Sequence, residues 1–187
     1  MSELYPCKIR PARESDVPDL IEIYRPFIEQ ATTSFELEVP SVAEFAQRVA
    51  ASQERHAWLV AEDDAGILGY AYGGAHRSRE AYRYTAEVSA YLADRARGKG
   101  LGAQLYERLF VRLNELGYCN AVAGVTLPND PSVAFHERMG FTSVGVYRRI
   151  GFKFGRWCDV AWYERPLREG DPDRLPEIEW PGPSKSD

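Results

Sequence analysis

The sequence lacks the long apolar run of a membrane-spanning helix, since no stretch approaches the ~20 consecutive apolar residues that a span requires. Its first residues, which include Glu3 and Lys8, lack the apolar core of a secretory signal. A cytoplasmic protein without a membrane partner is therefore expected. Cysteine is scarce: Cys7, Cys119 and Cys158 are odd in number, widely spaced, and form no C-x-x-C pair with histidine nearby. That pattern excludes a disulfide framework and predicts no metal site. Excess positive charge is missing too, with 23 Lys and Arg against 28 Asp and Glu and a net charge of −5. No nucleic-acid partner is expected from such a balance. No internal repeat is visible.

A chain of 187 residues is large enough to bury one real core. The reading is one domain over residues 1–167 and a polar tail over 168–187, where Pro172, Pro176, Pro181 and Pro183 disfavour packing. Lys8–Arg10 predicts a first strand. Ser15 and Asp16 cap a helix with the apolar face Val17, Leu20, Ile21, Tyr24 and Ile28, which Pro26 kinks or ends. A second helix is expected from Ser41 to about Gln53, then a hairpin of Ala57–Glu62 and Ile67–Tyr72 across Asp63–Gly66. Thr85–Leu92 reads as a strand, Leu101–Leu116 as a long helix ending at Gly117, and Ala121–Leu127 as another strand. A short helix opens at Asp130-Pro131 and stops near Gly140, and strands at Ser143–Tyr147 and Val160–Arg165 follow.

Between the Thr85–Leu92 strand and the long helix stands Arg97-Gly98-Lys99-Gly100-Leu101-Gly102. Glycines there allow a ligand close to the backbone, and the free amides of a helix start suit an anion. The stretch reads as a pyrophosphate cradle, or more plainly as a glycine-rich turn. Gly98, Gly100 and Ala103 also satisfy a loose dinucleotide pattern, but Leu116–Ala123 holds no acid about 20 positions on to grip a ribose. A phosphate loop of the Walker type fails because no Ser or Thr follows Lys99. Two basic groups, Arg77, Arg79 and Arg83, and Arg95, Arg97 and Lys99, suggest two anion sites.

With Arg97, Gly100 and Gly102 in the pattern Q/R-x-x-G-x-G/A, and Asn129 ahead of a helix ending in Gly140-Phe141, residues 7–167 resemble the GNAT N-acetyltransferases. Leu127-Pro128-Asn129-Asp130-Pro131-Ser132, His136-Glu137, Gly151 to Trp157 and Asp159-Val160 resemble its phosphinothricin and methionine sulfoximine acetyltransferase subgroup. Ala81-Tyr82 and Thr85-Ala86-Glu87 add to that likeness. The resemblance implies an α/β fold, a mixed sheet of about six to seven strands with about four helices, splayed at the acetyl-CoA site. It also implies a homodimer and acetylation of the α-amino group of glutamate-like herbicides and inhibitors, a route to herbicide resistance.

Amine attack on a thioester needs a base and an oxyanion donor. Glu87 matches the subgroup's catalytic glutamate, with an ion pair to a nearby arginine as its alternative role, and His136 is a second base or the proton donor to the leaving thiolate. By resemblance, the backbone of Ala90, Tyr91 and Leu92 pairs with the cofactor arm, Gly98, Lys99, Gly100, Leu101, Gly102 and Ala103 with Arg97 hold pyrophosphate, and Asn129 and Ser132 contact the arm. Arg77, Arg79 and Tyr82 would grip the acceptor's anionic groups, and Phe35, Ser89 and Val160 complete its pocket. If Arg77 and Arg79 lie in an extended strand, they share one side. Arg77 stands where some relatives in the subgroup carry lysine, and Thr126 where some carry glycine, which affects the preferred acceptor. Cys119 and Cys158 have no activating partner in the sequence, so direct transfer is expected. Peptide N-terminal acetylation and non-catalytic acyl-CoA sensing remain the alternatives.

Overall fold

The computed structural model describes residues 5–168 together with Leu175 and Ile178, so the rest of the expected tail lies outside the described residues. Arg168 is fastened to the domain, because its guanidinium donates to the carbonyl and Oδ1 of Asn114, each at 2.7 Å. The elements are β1 (Lys8–Pro11), α1 (Val17–Glu29), α2 (Val42–Arg55), β2 (Trp58–Asp63), β3 (Gly66–Ala75), β4 (Thr85–Leu92), α3 (Leu101–Glu115), β5 (Asn120–Leu127), α4 (Asp130–Arg138), β6 (Thr142–Lys153) and β7 (Arg156–Pro166). Seven strands form one sheet in the order β1-β2-β3-β4-β5-β7-β6, antiparallel except for β4 beside β5. Among the described residues no helix is long and apolar enough to cross a membrane.

Helical periodicity decides what lies on each face. Leu101, Leu105, Leu109 and Leu113 of α3 recur every four residues, and this stripe packs on Leu68, Ala86, Val88, Ala121 and Ala123. Val17, Leu20, Ile21, Tyr24 and Ile28 of α1, with Phe45 and Val49 of α2, bury the opposite face against Trp58, Val60, Tyr70 and Tyr91. Ser41 starts α2 with a reciprocal cap: its Oγ accepts from the Glu44 amide at 3.3 Å, while the Glu44 carboxylate accepts from the Ser41 amide at 2.8 Å. Asp16 serves differently from the expected helix cap. It accepts from the Arg13 amide at 2.7 Å and binds Arg10 through both oxygens.

Three other expectations are corrected. Pro26 lies inside α1, which runs on to Glu29, because the missing amide forfeits only one helical bond, to the carbonyl of exposed Glu22. The last two strands are far longer than Ser143–Tyr147 and Val160–Arg165 and meet at a turn with Phe154 and Gly155 at positive φ. Most of β6 is exposed, so no inward alternation marked it. Its apolar residues Ile150 and Phe152, with Phe154 and Trp157, are exposed, whereas Tyr163 is core. Finally, β3 ends at Ala75, so Arg77 and Arg79 are in irregular chain and share no strand face.

His56 gives the core a pH dependence. Its ring is buried, stacked on Tyr118 at 5.1 Å, and its Nδ1 has no hydrogen-bond partner. Burial, with a smaller contribution from Arg55, pushes its pKa down to about 4 from 6.5. Between those values the unfolded chain binds a proton that the folded chain does not, so stability falls as pH drops through the window. On the order of 3 kcal/mol is lost by pH 4. Urea unfolding at pH 7 and pH 4.5 should show a smaller loss in His56→Phe than in wild type, and equal losses would refute the assignment.

Candidate active site

The site begins where the sheet opens. β4 and β5 pair only at Thr85–Asn120, Ala86–Ala121 and Glu87–Val122, whereas β3 follows β4 to Leu92 and β7 follows β5 to Leu127. Among the described residues, the β5-facing edge of β4 from Val88 onward therefore has no strand partner, which leaves backbone groups for another extended chain. Two clefts open from this parting. One, of about 460 Å³, is lined by Glu87, Ser89, Ala90, Tyr91, Ser132 and His136, with Phe35 at its rim. The other, of about 530 Å³, is lined by Ala90, Leu92, Gly98, Gly100, Leu101, Gly102 and Ala103. Ala90 and Phe135 border both, so the clefts adjoin.

The second cleft ends on the first turn of α3. Gly98 and Gly100 have φ of +74° and +73°, and Gly100 is the residue preceding the helix. A Cβ at either would meet nothing within 4 Å, so the loop is open where the helical amides emerge. The Leu101 and Tyr91 side chains are buried in the core, so these residues offer the clefts their backbone. The basic cluster expected to form an anion site is largely committed to other partners. Arg95 is committed to Asp63 at 2.9 and 3.1 Å, Arg97 pairs with Asp94 at 3.0 Å over the Phe27 ring, and Lys99 lies over Tyr5. Arg138 of α4 lines the cleft instead, a cation that sequence reading passed over because it stands 36 positions beyond Gly102. Asn129 caps α4, its Oδ1 accepting from the Ser132 amide at 3.2 Å.

Glu87 projects from β4 on the face shared with Ser89. Its partner is His76 rather than the arginine considered from sequence: His76 Nδ1 lies 3.2 Å from Oε2. His136 is 7% exposed, and its Nδ1–H donates to the Ser132 carbonyl at 2.8 Å. That bond fixes the tautomer and leaves Nε2 to accept from the Tyr106 hydroxyl at 3.3 Å. Burial lowers the His136 pKa and pushes the Tyr106 phenol up, so the pair is held neutral. Tyr106 also lines the Glu87 cleft.

These elements match a known arrangement. Residues 9–162 match the acetyltransferase (GNAT) domain. The chain belongs to the GNAT acetyltransferase family. This acetyltransferase is 37% identical over 172 residues to the phosphinothricin N-acetyltransferase of Streptomyces viridochromogenes, covering 92% of this chain and 94% of that one. It is also 37% identical to the L-methionine sulfoximine/L-methionine sulfone acetyltransferase of Pseudomonas aeruginosa, over 89% and 96% of the two chains. Among solved structures, the phosphinothricin acetyltransferase of Sinorhizobium meliloti in complex with AcCoA superposes with a TM-score of 0.88 at 36% identity, over 95% and 97% of the chains.

The structure divides the residues predicted for the acceptor. Phe35 and Ser89 border the Glu87 cleft, together with Tyr24, Glu36, Tyr72 and Gly124, which sequence reading missed. Glu36 accepts from Tyr24 at 3.0 Å and from Arg48 at 2.7 Å, closing one end with paired charges. Val160 is buried beneath Gly124, where an added Cβ would meet its Cγ1 at 3.4 Å, and Thr126 is buried as well. Arg77 instead lines an adjacent cleft of about 420 Å³ with His76, Val146 and Trp162, while Arg79 and Tyr82 are exposed and border none of these three clefts. The arrangement offers an acetyltransferase a carboxylate beside a free strand edge, in a cleft that adjoins the open helix start of α3.

Proposed function

We propose that this enzyme transfers the acetyl group of acetyl-CoA to the α-amino group of phosphinothricin or a related glutamate-like amino acid such as methionine sulfoximine or methionine sulfone, directly within a ternary complex. The observation that carries the reading is the Glu87 carboxylate at the point where β4 and β5 part, bordering the cleft that adjoins the open amides of α3. Acetyl-CoA supplies the activated acetyl group as a thioester. The amides of Gly98 to Ala103, with Arg138, hold its pyrophosphate, and the free edge of Ala90, Tyr91 and Leu92 takes its arm, with Asn129 and Ser132 alongside.

Glu87 takes the proton from the acceptor's ammonium, directly or through water, and so provides the neutral amine that attack requires. An amide of the β4 edge faces the oxyanion. Arg77 meets the acceptor's anionic group from the adjacent cleft, and Phe35 and Ser89 form the wall, with Val160 behind Gly124. His136, neutral and bonded at both ring nitrogens, holds the Tyr106 hydroxyl at the cleft rather than delivering a proton as a cation.

Release of free CoA from acetyl-CoA should be measured with phosphinothricin, methionine sulfoximine, methionine sulfone, glutamate and a peptide panel. Turnover confined to the small amino acids is expected. Turnover on peptides alone would overturn the acceptor class, and cofactor binding with no turnover on any amine would replace the reading by acyl-CoA sensing.

A further inference from the structure

We propose that His76 is a positioning residue for Glu87, holding one carboxylate oxygen so that the other faces the acceptor amine, and that this role requires the neutral imidazole. The inference rests on the reading of Glu87 as the base. It begins with strand register: Gly74 of β3 lies directly opposite Glu87 on β4. A glycine there leaves no side chain across from the carboxylate, which turns diagonally to His76, just past the end of β3. The result is the 3.2 Å contact between Nδ1 and Oε2.

The imidazole is itself held. Trp162 of β7 packs on it edgewise at 5.4 Å, and Tyr82 does so at 6.0 Å. Tyr82, expected from sequence to touch the acceptor, is thereby placed to fix the ring of His76. The pair is accessible, with the His76 side chain 17% and that of Glu87 39% exposed, so protons reach both from solvent. The other charged and titratable groups around His76 are the adjoining Arg77, Tyr82, Glu164 of β7 and Tyr147 and Tyr163, which border the same cleft or ring. Arg77 opposes a second positive charge there, and Glu164 favours one.

The chemistry follows from which proton sits where. With neutral His76, Nδ1–H donates to Oε2 and keeps its proton throughout, and Oε1 is left to accept the proton that leaves the ammonium nitrogen. Glu87 becomes a carboxylic acid as the free amine forms. When His76 is protonated, its full charge holds Glu87 as an anion and makes it a poorer base for the amine. Acid therefore slows the enzyme through the charge it places on His76. His136 contributes less, because burial disfavours its cation.

The test is the pH dependence of kcat at saturating acetyl-CoA and phosphinothricin for wild type, His76→Gln and His76→Phe. In wild type, log kcat should fall as acid protonates His76, and in both variants that step should vanish. His76→Phe keeps the edgewise packing without the donor, and should lower the plateau about tenfold with the KM for acetyl-CoA unchanged. His76→Gln should restore part of that loss.

NMR of the His76 imidazole reads the same contact without turnover and with His76 in place. Its ring chemical shifts should move in Glu87→Gln, where the anionic acceptor of Nδ1–H is gone. Superimposed pH profiles in wild type and variants, or His76 ring shifts unmoved by Glu87→Gln, would overturn the proposal. Undiminished turnover of Glu87→Gln would instead overturn the assignment of Glu87 as base, a separate result from either of these.

Discussion

Replacing Glu87 by glutamine is expected to lower kcat by about 10²- to 10⁴-fold, the range that a positioned general base supplies. Glutamine keeps the length and shape of the side chain, and His76 can still hydrogen-bond to its carbonyl oxygen. What disappears is the group that accepts a proton. The helix-start amides and the free edge at Ala90 to Leu92 do not involve the Glu87 side chain, so the KM for acetyl-CoA should stay within a few-fold of wild type. Residual turnover should rise about tenfold per pH unit until the acceptor's amine titrates, because the solution then supplies the free base that the enzyme no longer makes. A drop of only a few-fold, or a residual rate that is flat with pH, would show that proton removal is done elsewhere.

How far sequence carried the reading of this site depended on how local each signal was. Gly98 and Gly100 announce the loop before α3 because glycine's freedom at positive φ is a property of a single residue. The stripe of Leu101, Leu105, Leu109 and Leu113 gives the helix and its buried face together. The contact of His76 with Glu87 was not legible. Eleven residues separate them in a stretch where the strand gives way to irregular chain at His76, and only the register placing Gly74 opposite Glu87 makes them neighbours.

Charge was misleading for a related reason. Arg95, Arg97 and Lys99 look like one anion-binding cluster along the chain, yet Arg95 reaches Asp63 at the end of β2 and Lys99 covers Tyr5. Partners of that kind lie far away in sequence. The alternation of Arg77 and Arg79 failed because it presupposed a strand that ends two residues earlier. The length of β6 was hidden because a strand exposed on an edge carries no buried alternation to reveal it.

Gly100→Val is expected to raise the KM for acetyl-CoA about tenfold while leaving kcat at saturating cofactor close to wild type. The reason is conformational rather than steric, since a Cβ at Gly100 would meet nothing within 4 Å. Its φ of +73° is a left-handed geometry that costs an L-residue roughly 1–2 kcal/mol, and a β-branched one more. The loop can relieve that cost only by rotating Gly100 to negative φ. Rotation there turns the chain entering Leu101 and moves the amides at the head of α3 away from the point on which an anion would bind. About 1.4 kcal/mol of lost binding is the tenfold expected. Gly102→Ala separates this mechanism from crowding, because Gly102 has no positive φ and its Cβ would instead press on the Phe135 ring at 3.3 Å. Binding of CoA by calorimetry, without any acceptor, should show the Gly100→Val loss in full. If affinity is unchanged there, the amides of α3 do not hold the anion, and the cofactor is held elsewhere along the cleft.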